Sequence, residues 1–270
     1  MTTFQAFILG IVQGVTEFLP ISSSGHLVLV PSLLGWKIPA EEAFIFDVLV
    51  QLGTLVAVIV YFWKDLWAIL SVTFKSVGKP NMLSHPEVRL GVNILVATIP
   101  AVVIGFFFQE TVEDAFGSPT ATALFLLLTA ILLVVAERVG KRARGISEIG
   151  WIDALVIGLF QALALFPGLS RSGATITGGM ISHMKRPAAA RFSFLMAVPV
   201  MIGAGALAAI DLVGLPALST FAVPMLVGFL TATMVGYIAI RWLLRYLAER
   251  TLYVFSFYLV VFSVIALFLG

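Results

Sequence analysis

Six long apolar segments dominate the hydrophobic pattern of the chain. A helix that crosses the hydrocarbon core of a bilayer needs roughly 20 predominantly apolar residues, and each segment approaches or exceeds that length. Pro100, Pro199 and Pro224 lie inside three of the segments, which membrane helices tolerate because neighbouring groups satisfy the freed backbone. We predict six transmembrane helices, at about 44–63, 88–108, 120–136, 188–210, 217–240 and 252–269.

Two further apolar stretches are each broken in the middle by a polar turn. The first, at about 4–36, is interrupted by Glu17, Pro20 and a run of serines, and the second, at about 152–184, by Pro167 and a Ser-Arg-Ser sequence. Each half contains about 12–15 residues, or roughly 18–22 Å of helix, which is too short to cross. The pattern predicts two re-entrant hairpins, each entering and leaving the bilayer on one side.

Composition excludes a soluble protein. Of the 270 residues, 60% are hydrophobic and only 11% are charged, whereas a soluble domain carries about 25% charged residues. The chain has no cysteine, so disulfide bonds, thiol catalysis and cysteine metal sites are excluded. Together with the helix-length segments, this composition predicts an all-α integral membrane protein.

Basic residues occupy alternate connections between the predicted helices. Of the 16 Lys and Arg residues, only Lys37 and Arg171 lie outside four groups. The positive-inside rule makes all four groups cytoplasmic, so the first hairpin enters from outside and the second from inside. The groups are Lys64, Lys75, Lys79 and Arg89; Arg138, Lys141, Arg142 and Arg144; Lys185, Arg186 and Arg191; and Arg241, Arg245 and Arg250. The other connections carry Glu110, Glu113 and Asp114, or Asp211.

The two halves of the chain share a sequence pattern. Each half contains one hairpin and three spans, and an odd number of spans inverts the second copy relative to the first. We therefore predict a single membrane domain made of two inverted repeats, 1–136 and 150–270, a pattern found in transporters. An offset of 148 pairs Gly10 with Gly158, Gln13 with Gln161, Phe18 with Phe166, Ser22 with Ser170, Ser24 with Ser172 and Gly25 with Gly173.

The candidate chemistry lies at the tips of the hairpins. In the first hairpin, Gln13 and Glu17 are four residues apart and share one helix face, and Ser22–Ser24 would cap the following half-helix, whose N-terminus suits an anion. In the second hairpin, another serine-capped helix start carries Arg171, and a charged side chain at membrane depth is usually functional. Two helix N-termini, hydroxyl groups and a guanidinium predict a phosphate site.

Purely structural roles remain open for the same residues. Serine at a broken helix can act only as a cap, and Glu17 with Arg171 can form a buried ion pair whose sole role is to hold the hairpins together. Asp47 and Gln51 lie one turn apart in the first predicted span; they either line the site or, in the case of Asp47, lie near the membrane interface.

The two hairpin sequences together resemble a known family. Residues 13–26 read QGVTEFLPISSSGH, similar to the first signature of the bacterial undecaprenyl-diphosphatases associated with bacitracin resistance, and residues 167–175 read PGLSRSGAT, which matches their second signature, PGxSRSxxT, at every fixed position. The resemblance covers essentially the whole chain. It implies hydrolysis of undecaprenyl diphosphate to undecaprenyl phosphate and inorganic phosphate, which recycles the lipid carrier for cell-wall synthesis and confers bacitracin resistance.

The resemblance also implies roles for single residues. It puts a (Glu/Gln)xxxGlu motif on Gln13 and Glu17, a catalytic pair on Ser23 and His26, and diphosphate binding on Ser170, Arg171, Ser172 and Thr175. Because Gln13 stands where Glu is frequent, a Mg²⁺ or Ca²⁺ ion would depend on Glu17, water and substrate oxygens. The resemblance further implies a homodimer in the bacterial plasma membrane, with a site open to the periplasm. No nucleic-acid partner is expected.

Three mechanisms are compatible with these residues. In the first, Ser23 attacks the terminal phosphorus with His26 as general base and Glu17 orienting the imidazole or a cation, while Arg171 stabilises the developing charge. In the second, His26 is the nucleophile, and in the third, His26 or Glu17 activates water. The competing class of protein is a transporter or flippase that moves a polyprenyl phosphate or another anion without cleaving it.

Overall fold

The computed structural model describes residues 1–108, 118–212 and 222–269, and this part of the chain is built from α-helices, as predicted. Two single turns of 3-10 helix, Met82–Ser84 and Ile146–Glu148, complete the regular structure described. Glu110, Glu113, Asp114 and the start of the predicted fifth span, 217–221, lie outside the described residues. The α-helices are α1 Thr3–Thr16, α2 Ser23–Leu33, α3 Ala40–Tyr61, α4 Trp63–Ser76, α5 Pro86–Phe107, α6 Pro119–Val139, α7 Trp151–Leu163, α8 Arg171–Ile181, α9 Arg186–Leu212, α10 Ala222–Glu249 and α11 Tyr253–Leu269.

Five helices of the described chain are long and apolar enough to cross a membrane, namely α3, α5, α6, α9 and α10. They correspond to the first five predicted spans, so a multi-pass helical membrane protein is confirmed. The last predicted span, at about 252–269, forms the apolar helix α11, whose 17 residues lie at the lower end of the roughly 17–25 that a crossing helix needs. The described residues therefore contain five candidate spans and the shorter apolar helix α11, and the sixth crossing stays a prediction.

Helix α4 was not predicted, because its charged residues reduce the hydrophobicity of the segment. The chain breaks at Phe62 and continues as an amphipathic helix of 14 residues that packs against α5. Leu66 and Ile69 face the protein core, whereas Trp67 and Phe74 are exposed. The basic connection after the first span therefore contains a helix.

The outer surface of the protein is apolar where a soluble protein would be polar. Phe74, Phe106 and Phe268 are each more than three-quarters exposed. The core contains aromatic residues as well, and Phe18 packs edge-on against Phe194 with ring centroids 5.4 Å apart. An exterior of this kind loses its contact with water when lipid surrounds it, which supplies the hydrophobic stabilisation that the fold needs.

Each hairpin consists of two short helices, α1 with α2 and α7 with α8, of 11 to 14 residues. The first helix of each pair packs against a helix from the other half of the chain: α1 lies along α10, and α7 lies along α5. Glycine permits both approaches. A Cβ atom at Gly10 would lie 2.8 Å from the Gly228 carbonyl oxygen, and one at Gly158 would lie 2.5 Å from that of Ala97. The two hairpins are thereby held deep in the protein with their tips together.

Candidate functional site

Both hairpin tips end in a serine-capped helix start. Ser22 caps α2 by accepting a hydrogen bond from the Gly25 N–H at 3.4 Å, and Ser170 caps α8 by accepting one from Gly173 at 3.1 Å. Ser22 has a φ of 71°, a left-handed value that is uncommon for any residue except glycine. The tip of the first hairpin therefore turns sharply just before Ser23, and it depends on surrounding contacts to keep this conformation.

The two tips are joined by reciprocal hydrogen bonds. Ser172 in the second hairpin donates to the Leu19 carbonyl at 2.9 Å, and Ser24 in the first accepts from the Gly168 N–H at 3.4 Å. The capping hydroxyls also lie close to their neighbours, with Ser22 and Ser24 oxygens 3.3 Å apart. Ser22 and Ser24 line the cavity between the tips, and Ser24 with Ser172 joins one tip to the other.

Glu17 is the centre of the polar network between the hairpins. Its Oε2 atom accepts hydrogen bonds from Gln13 at 3.0 Å and from the Ser23 hydroxyl at 2.6 Å. Its Oε1 atom accepts from the guanidinium of Arg171. Glu17 is buried, and a buried carboxylate is stabilised only when its oxygens are hydrogen-bonded or paired with a positive charge. The three donors satisfy that requirement and bring both hairpin motifs to one carboxylate.

Other residues of the second signature are buried beneath the tip. Thr175 donates to the Arg171 carbonyl at 2.7 Å and lies 2.6 Å from the Ser193 hydroxyl. The Ser170 N–H donates to Thr129 at 3.0 Å. These contacts fix the start of α8, so Thr175 supports Arg171 from behind, while Ser170 and Arg171 themselves reach the cavity.

A cavity of about 370 Å³ lies between the two tips. Glu17, Ser23 and Arg171 line it, and so does Gln51, whereas Asp47 lines a different cavity beside Trp36. The N-termini of α2 and α8 border the same space, which gives it backbone donors as well as a guanidinium. A cavity with these groups is suited to an anion that carries several acceptor oxygens.

Gln161 also lines this cavity and was not selected as a site residue from the sequence. Its Nε2 atom donates to the Ala97 carbonyl at 3.4 Å, but its Oε1 atom is buried without a partner among the described residues, as is that of Gln13. Buried polar atoms in folded proteins nearly always have a hydrogen-bond partner, so these two amide oxygens remain able to accept one. The match between Gln13 and Gln161 at an offset of 148 was the signal that could have identified it.

His26 lies on the other side of the first tip and does not line this cavity. Its Nδ1 atom is 2.7 Å from the Ser22 carbonyl oxygen, and its Nε2 atom is 2.7 Å from the Tyr258 hydroxyl. The Ser23 hydroxyl donates to Glu17 in this conformation, and no hydrogen bond joins Ser23 to His26 among the described residues. The two members of the sequence-derived pair therefore point to different partners.

The possible metal ligands around the cavity are oxygen atoms. They comprise the Glu17 carboxylate, the amide oxygens of Gln51 and Gln161, and serine hydroxyls. Within the described residues, no cluster of three or more His, Asp or Glu side chains could hold a metal ion. Oxygen ligands suit Mg²⁺ or Ca²⁺, but with a single carboxylate the cavity fits such an ion only when substrate oxygens complete its coordination.

Fold and site together define a multi-pass membrane protein with a polar, arginine-containing cavity between two helical hairpins. Residues 6–265 match the family model described as bacitracin resistance protein BacA. The chain belongs to this family, and the resemblance noted in the two hairpin sequences is confirmed.

Similar proteins cover the chain along nearly its whole length. The undecaprenyl-diphosphatase of Moorella thermoacetica is 43% identical over 258 residues, which are 96% of this chain and 94% of the relative. That of Thermomicrobium roseum is 42% identical and covers 99% of this chain and 98% of the relative. That of Chlorobaculum tepidum is 42% identical and covers 98% of this chain and 95% of the relative. The similarity extends through both hairpins and all five candidate spans.

Proposed function

We propose that this chain is an undecaprenyl-diphosphatase, which hydrolyses undecaprenyl diphosphate to undecaprenyl phosphate and inorganic phosphate. The observation that carries the proposal is the convergence of Ser23 and Arg171 on the Glu17 carboxylate in a chain of this family. A nucleophilic hydroxyl, a carboxylate and a guanidinium at one cavity are the groups that phosphoryl transfer requires. The reaction recycles the lipid carrier for cell-wall synthesis, which accounts for resistance to bacitracin.

The diphosphate head group occupies the cavity between the tips, and the polyprenyl tail stays among apolar side chains and lipid. Arg171 provides a planar, always charged donor for phosphate oxygens. The N–H groups at the starts of α2 and α8 add neutral donors with the favourable end of each helix dipole. Ser22, Ser24, Ser170 and Ser172 keep these helix starts in position and supply further hydroxyl groups.

Ser23 attacks the terminal phosphorus in the mechanism that the contacts favour. A bond forms between Ser23 Oγ and phosphorus, the bond to the bridging oxygen breaks, and undecaprenyl phosphate leaves. The hydroxyl proton passes to Glu17, which already accepts its hydrogen bond at 2.6 Å. Arg171 turns from Glu17 to the incoming phosphate, which frees the carboxylate to take that proton. A water molecule then attacks the phosphorus and the bond to Ser23 Oγ breaks. Glu17 returns its proton to Ser23 Oγ, and inorganic phosphate leaves with both protons of the water.

This assignment gives Glu17 the role of general base that sequence reasoning assigned to His26. The contact between Ser23 and Glu17 supports it, and so do the two partners of His26 outside the cavity. Attack by His26 itself and direct activation of water are the competing mechanisms. Trapping labelled phosphate on the protein and mapping it to a peptide separates them, since label on Ser23 is expected, and a complete absence of labelled protein would contradict both covalent routes.

A divalent cation, when bound, neutralises charge on the diphosphate. Glu17 and the amide oxygens of Gln51 and Gln161 are the protein groups at the cavity that would hold it, together with substrate oxygens. The amide at position 13 adds no negative charge, so the protein contributes little affinity for the free ion. We expect the cation to bind with the substrate rather than before it.

The proposal includes an inverted repeat whose hairpins enter from opposite faces, with the site open to the periplasm of a homodimeric protein. The first helix of each hairpin packs against a helix of the opposite half, α1 on α10 and α7 on α5. This symmetric arrangement supports the repeat. So do the paired glycines, Gly10 and Gly158, each of which faces a backbone carbonyl across its helix contact. The alternation of basic and acidic connections supports the orientation.

Phosphate release from undecaprenyl diphosphate by purified protein in detergent tests the function. The unchanged protein should release phosphate, Ser23→Ala should lose release almost entirely, and Ser71→Ala, whose hydroxyl bonds only a backbone carbonyl in α4, should behave like the unchanged protein. Movement of a polyprenyl phosphate across a vesicle membrane without phosphate release would instead support the transporter alternative. Absence of both activities would contradict the proposal.

A further inference from the structure

The hydrogen bonds of His26 fix which of its ring nitrogens carries a proton. The Ser22 carbonyl can only accept, so Nδ1, 2.7 Å away, must be the donor. In the neutral ring, Nε2 is then an acceptor, and the hydroxyl of Tyr258, also 2.7 Å away, donates to it. The Ser22 carbonyl therefore selects the neutral tautomer, and Tyr258 gives the remaining ring nitrogen its hydrogen bond.

Helix α11 also fixes the plane of the imidazole. The ring of Phe262 stacks on His26 with centroids 4.4 Å apart and an angle of 3° between planes, and Tyr258 lies nearly parallel at 5.7 Å. Tyr258 and Phe262 are four residues apart and so share one face of α11. Because His26 is buried and bonded at both nitrogens, this face of α11 determines its position.

The carbonyl that His26 holds belongs to the most constrained residue of the first tip. Ser22 has a φ of 71°, and its hydroxyl caps α2 through Gly25. The next residue is Ser23, whose hydroxyl must point to Glu17 for attack. A change in the backbone at Ser22 would rotate Ser23 away from the cavity, since the two residues share a peptide plane.

We propose that Tyr258 is a positioning residue for the phosphatase reaction, acting through His26 and the Ser22 carbonyl to hold Ser23 in its attacking orientation. The inference rests on the proposed function and extends it to a residue of α11 that lies outside both hairpin motifs. It gives His26 a supporting role: its imidazole keeps the strained tip in place, while Glu17 handles the proton of Ser23.

Removing the Tyr258 hydroxyl tests the first link. Tyr258→Phe keeps the ring beside His26 but leaves Nε2 without its donor, so the imidazole loses one of the two hydrogen bonds that fix its position. We expect kcat to fall about 10-fold to 100-fold, the range typical for loss of an outer hydrogen-bond partner, with little change in KM. Tyr237→Phe is the matched control, because Tyr237 contacts Tyr61 through its ring and its hydroxyl makes no hydrogen bond among the described residues.

Two amide variants of His26 test the second link. The side-chain nitrogen of asparagine falls near Nδ1 of histidine and can still donate to Ser22, whereas that of glutamine falls near Nε2 and cannot. A positioning role predicts that His26→Asn keeps at least about 10-fold more activity than His26→Gln or His26→Ala, and that its pH profile of kcat/KM has the shape of the unchanged protein's.

The outcomes separate this inference from the function on which it rests. If the unchanged protein releases no phosphate, the proposed function fails. If it is active but Tyr258→Phe matches Tyr237→Phe, or if His26→Asn is as inactive as His26→Ala while its melting temperature is normal, the positioning role is wrong. Loss of one limb of the pH profile in His26→Asn would likewise overturn it, because it would show that the imidazole itself transfers a proton.

Discussion

Glu17 and Arg171 lie 154 positions apart in the chain, yet the guanidinium of one hairpin donates directly to the carboxylate of the other. The carboxylate divides its partners, with Arg171 on Oε1 and with Gln13 and Ser23 on Oε2. An anion that attracts Arg171 therefore changes the environment of the carboxylate that accepts the Ser23 hydrogen bond. The ion pair joins the two hairpin tips and is the contact that a phosphate group would displace.

Replacement of Arg171 by lysine should impair catalysis severely although it keeps the charge. Lysine offers a point charge without the planar fork that contacts a carboxylate and a phosphate in fixed geometry. We expect Arg171→Lys to lower kcat/KM by about 10²-fold to 10³-fold, the cost of losing one donor to the transition state. Steady-state phosphate release measures it. Arg241→Lys in α10 serves as the control, and near-normal turnover of Arg171→Lys would contradict the assigned role.

Replacement of Glu17 by glutamine should keep the hydrogen bonds at this position but remove the group that accepts a proton. The amide retains an oxygen that can accept from Ser23 or Arg171, but it cannot take up a proton. Because general-base catalysis contributes roughly 10²-fold to 10⁴-fold, we expect a loss of that size in kcat, together with loss of trapped phosphoserine. Glu249→Gln, at the exposed end of α10, is the control. If Glu17→Gln forms the phosphoserine intermediate at a normal rate, a residue other than Glu17 is the general base.

Features that depend on neighbouring residues could be predicted from the sequence. The serine caps at Ser22 and Ser170 require only a residue three positions further on, and the short half-helices follow from the length of the apolar runs. The convergence of Glu17 and Arg171 could be inferred because a charged residue at membrane depth needs a partner.

Features that depend on distant side chains could not be predicted. Tyr258 lies 232 positions from His26, and nothing in the local pattern distinguishes it from Tyr253, the other tyrosine of the apolar helix α11. The turn at Ser22 directs Ser23 to Glu17 rather than to His26, although spacing alone allowed either. Helix α4 was missed because its two lysines and one aspartate resemble a loop when only hydrophobic length is considered.

A second carboxylate at position 13 should make the site depend more strongly on a divalent cation. Gln13 donates to Glu17 at 3.0 Å, so Gln13→Glu would place two negative charges side by side, a pair that is stabilised by a shared Mg²⁺ or Ca²⁺ ion. We expect Ca²⁺ to raise the melting temperature of Gln13→Glu but not of the unchanged protein, and chelator to inhibit the variant more. Gln5→Glu at the exposed start of α1 is the control. Equal responses of Gln13→Glu and the unchanged protein would argue against a cation near this residue.

The contact between α7 and α5 should tolerate no side chain at Gly158. A Cβ atom there would lie 2.5 Å from the Ala97 carbonyl oxygen, so the helices must separate. Overpacking of this kind costs about 1–3 kcal/mol, and we expect Gly158→Ala to lower the melting temperature and, through displacement of the second hairpin, the activity. Gly203→Ala in α9 is the matched control, because nothing lies within 4 Å of its Cβ position. Equal stability of the two variants would show that α5 can move freely.

Asp153 at the start of α7 should make stability depend on pH through its pairing with Arg144. Burial alone would raise the pKa of Asp153, but the hydrogen bonds from Arg144 and from the Gly150 N–H outweigh burial and hold that pKa below its usual value. A carboxylate with a lowered pKa in the folded state stabilises the protein at pH values above the pKa of the unfolded chain, about 3.9. This contribution is lost as the pH falls through the lower, folded value.

Asp153→Asn should therefore melt below the unchanged protein at pH 7, and the difference should disappear as the pH falls below about 4. Asparagine keeps an oxygen for Gly150, so the variant removes mainly the charge that faces Arg144. Because the pair is partly exposed to water, we expect only roughly 0.5–1 kcal/mol, or about 1–4 °C. Melting curves in detergent at pH 7, near 4 and about two pH units lower measure it, and Arg144→Gln should show the same convergence. A difference that persists unchanged at acid pH would mean that the side chain acts through packing rather than through charge.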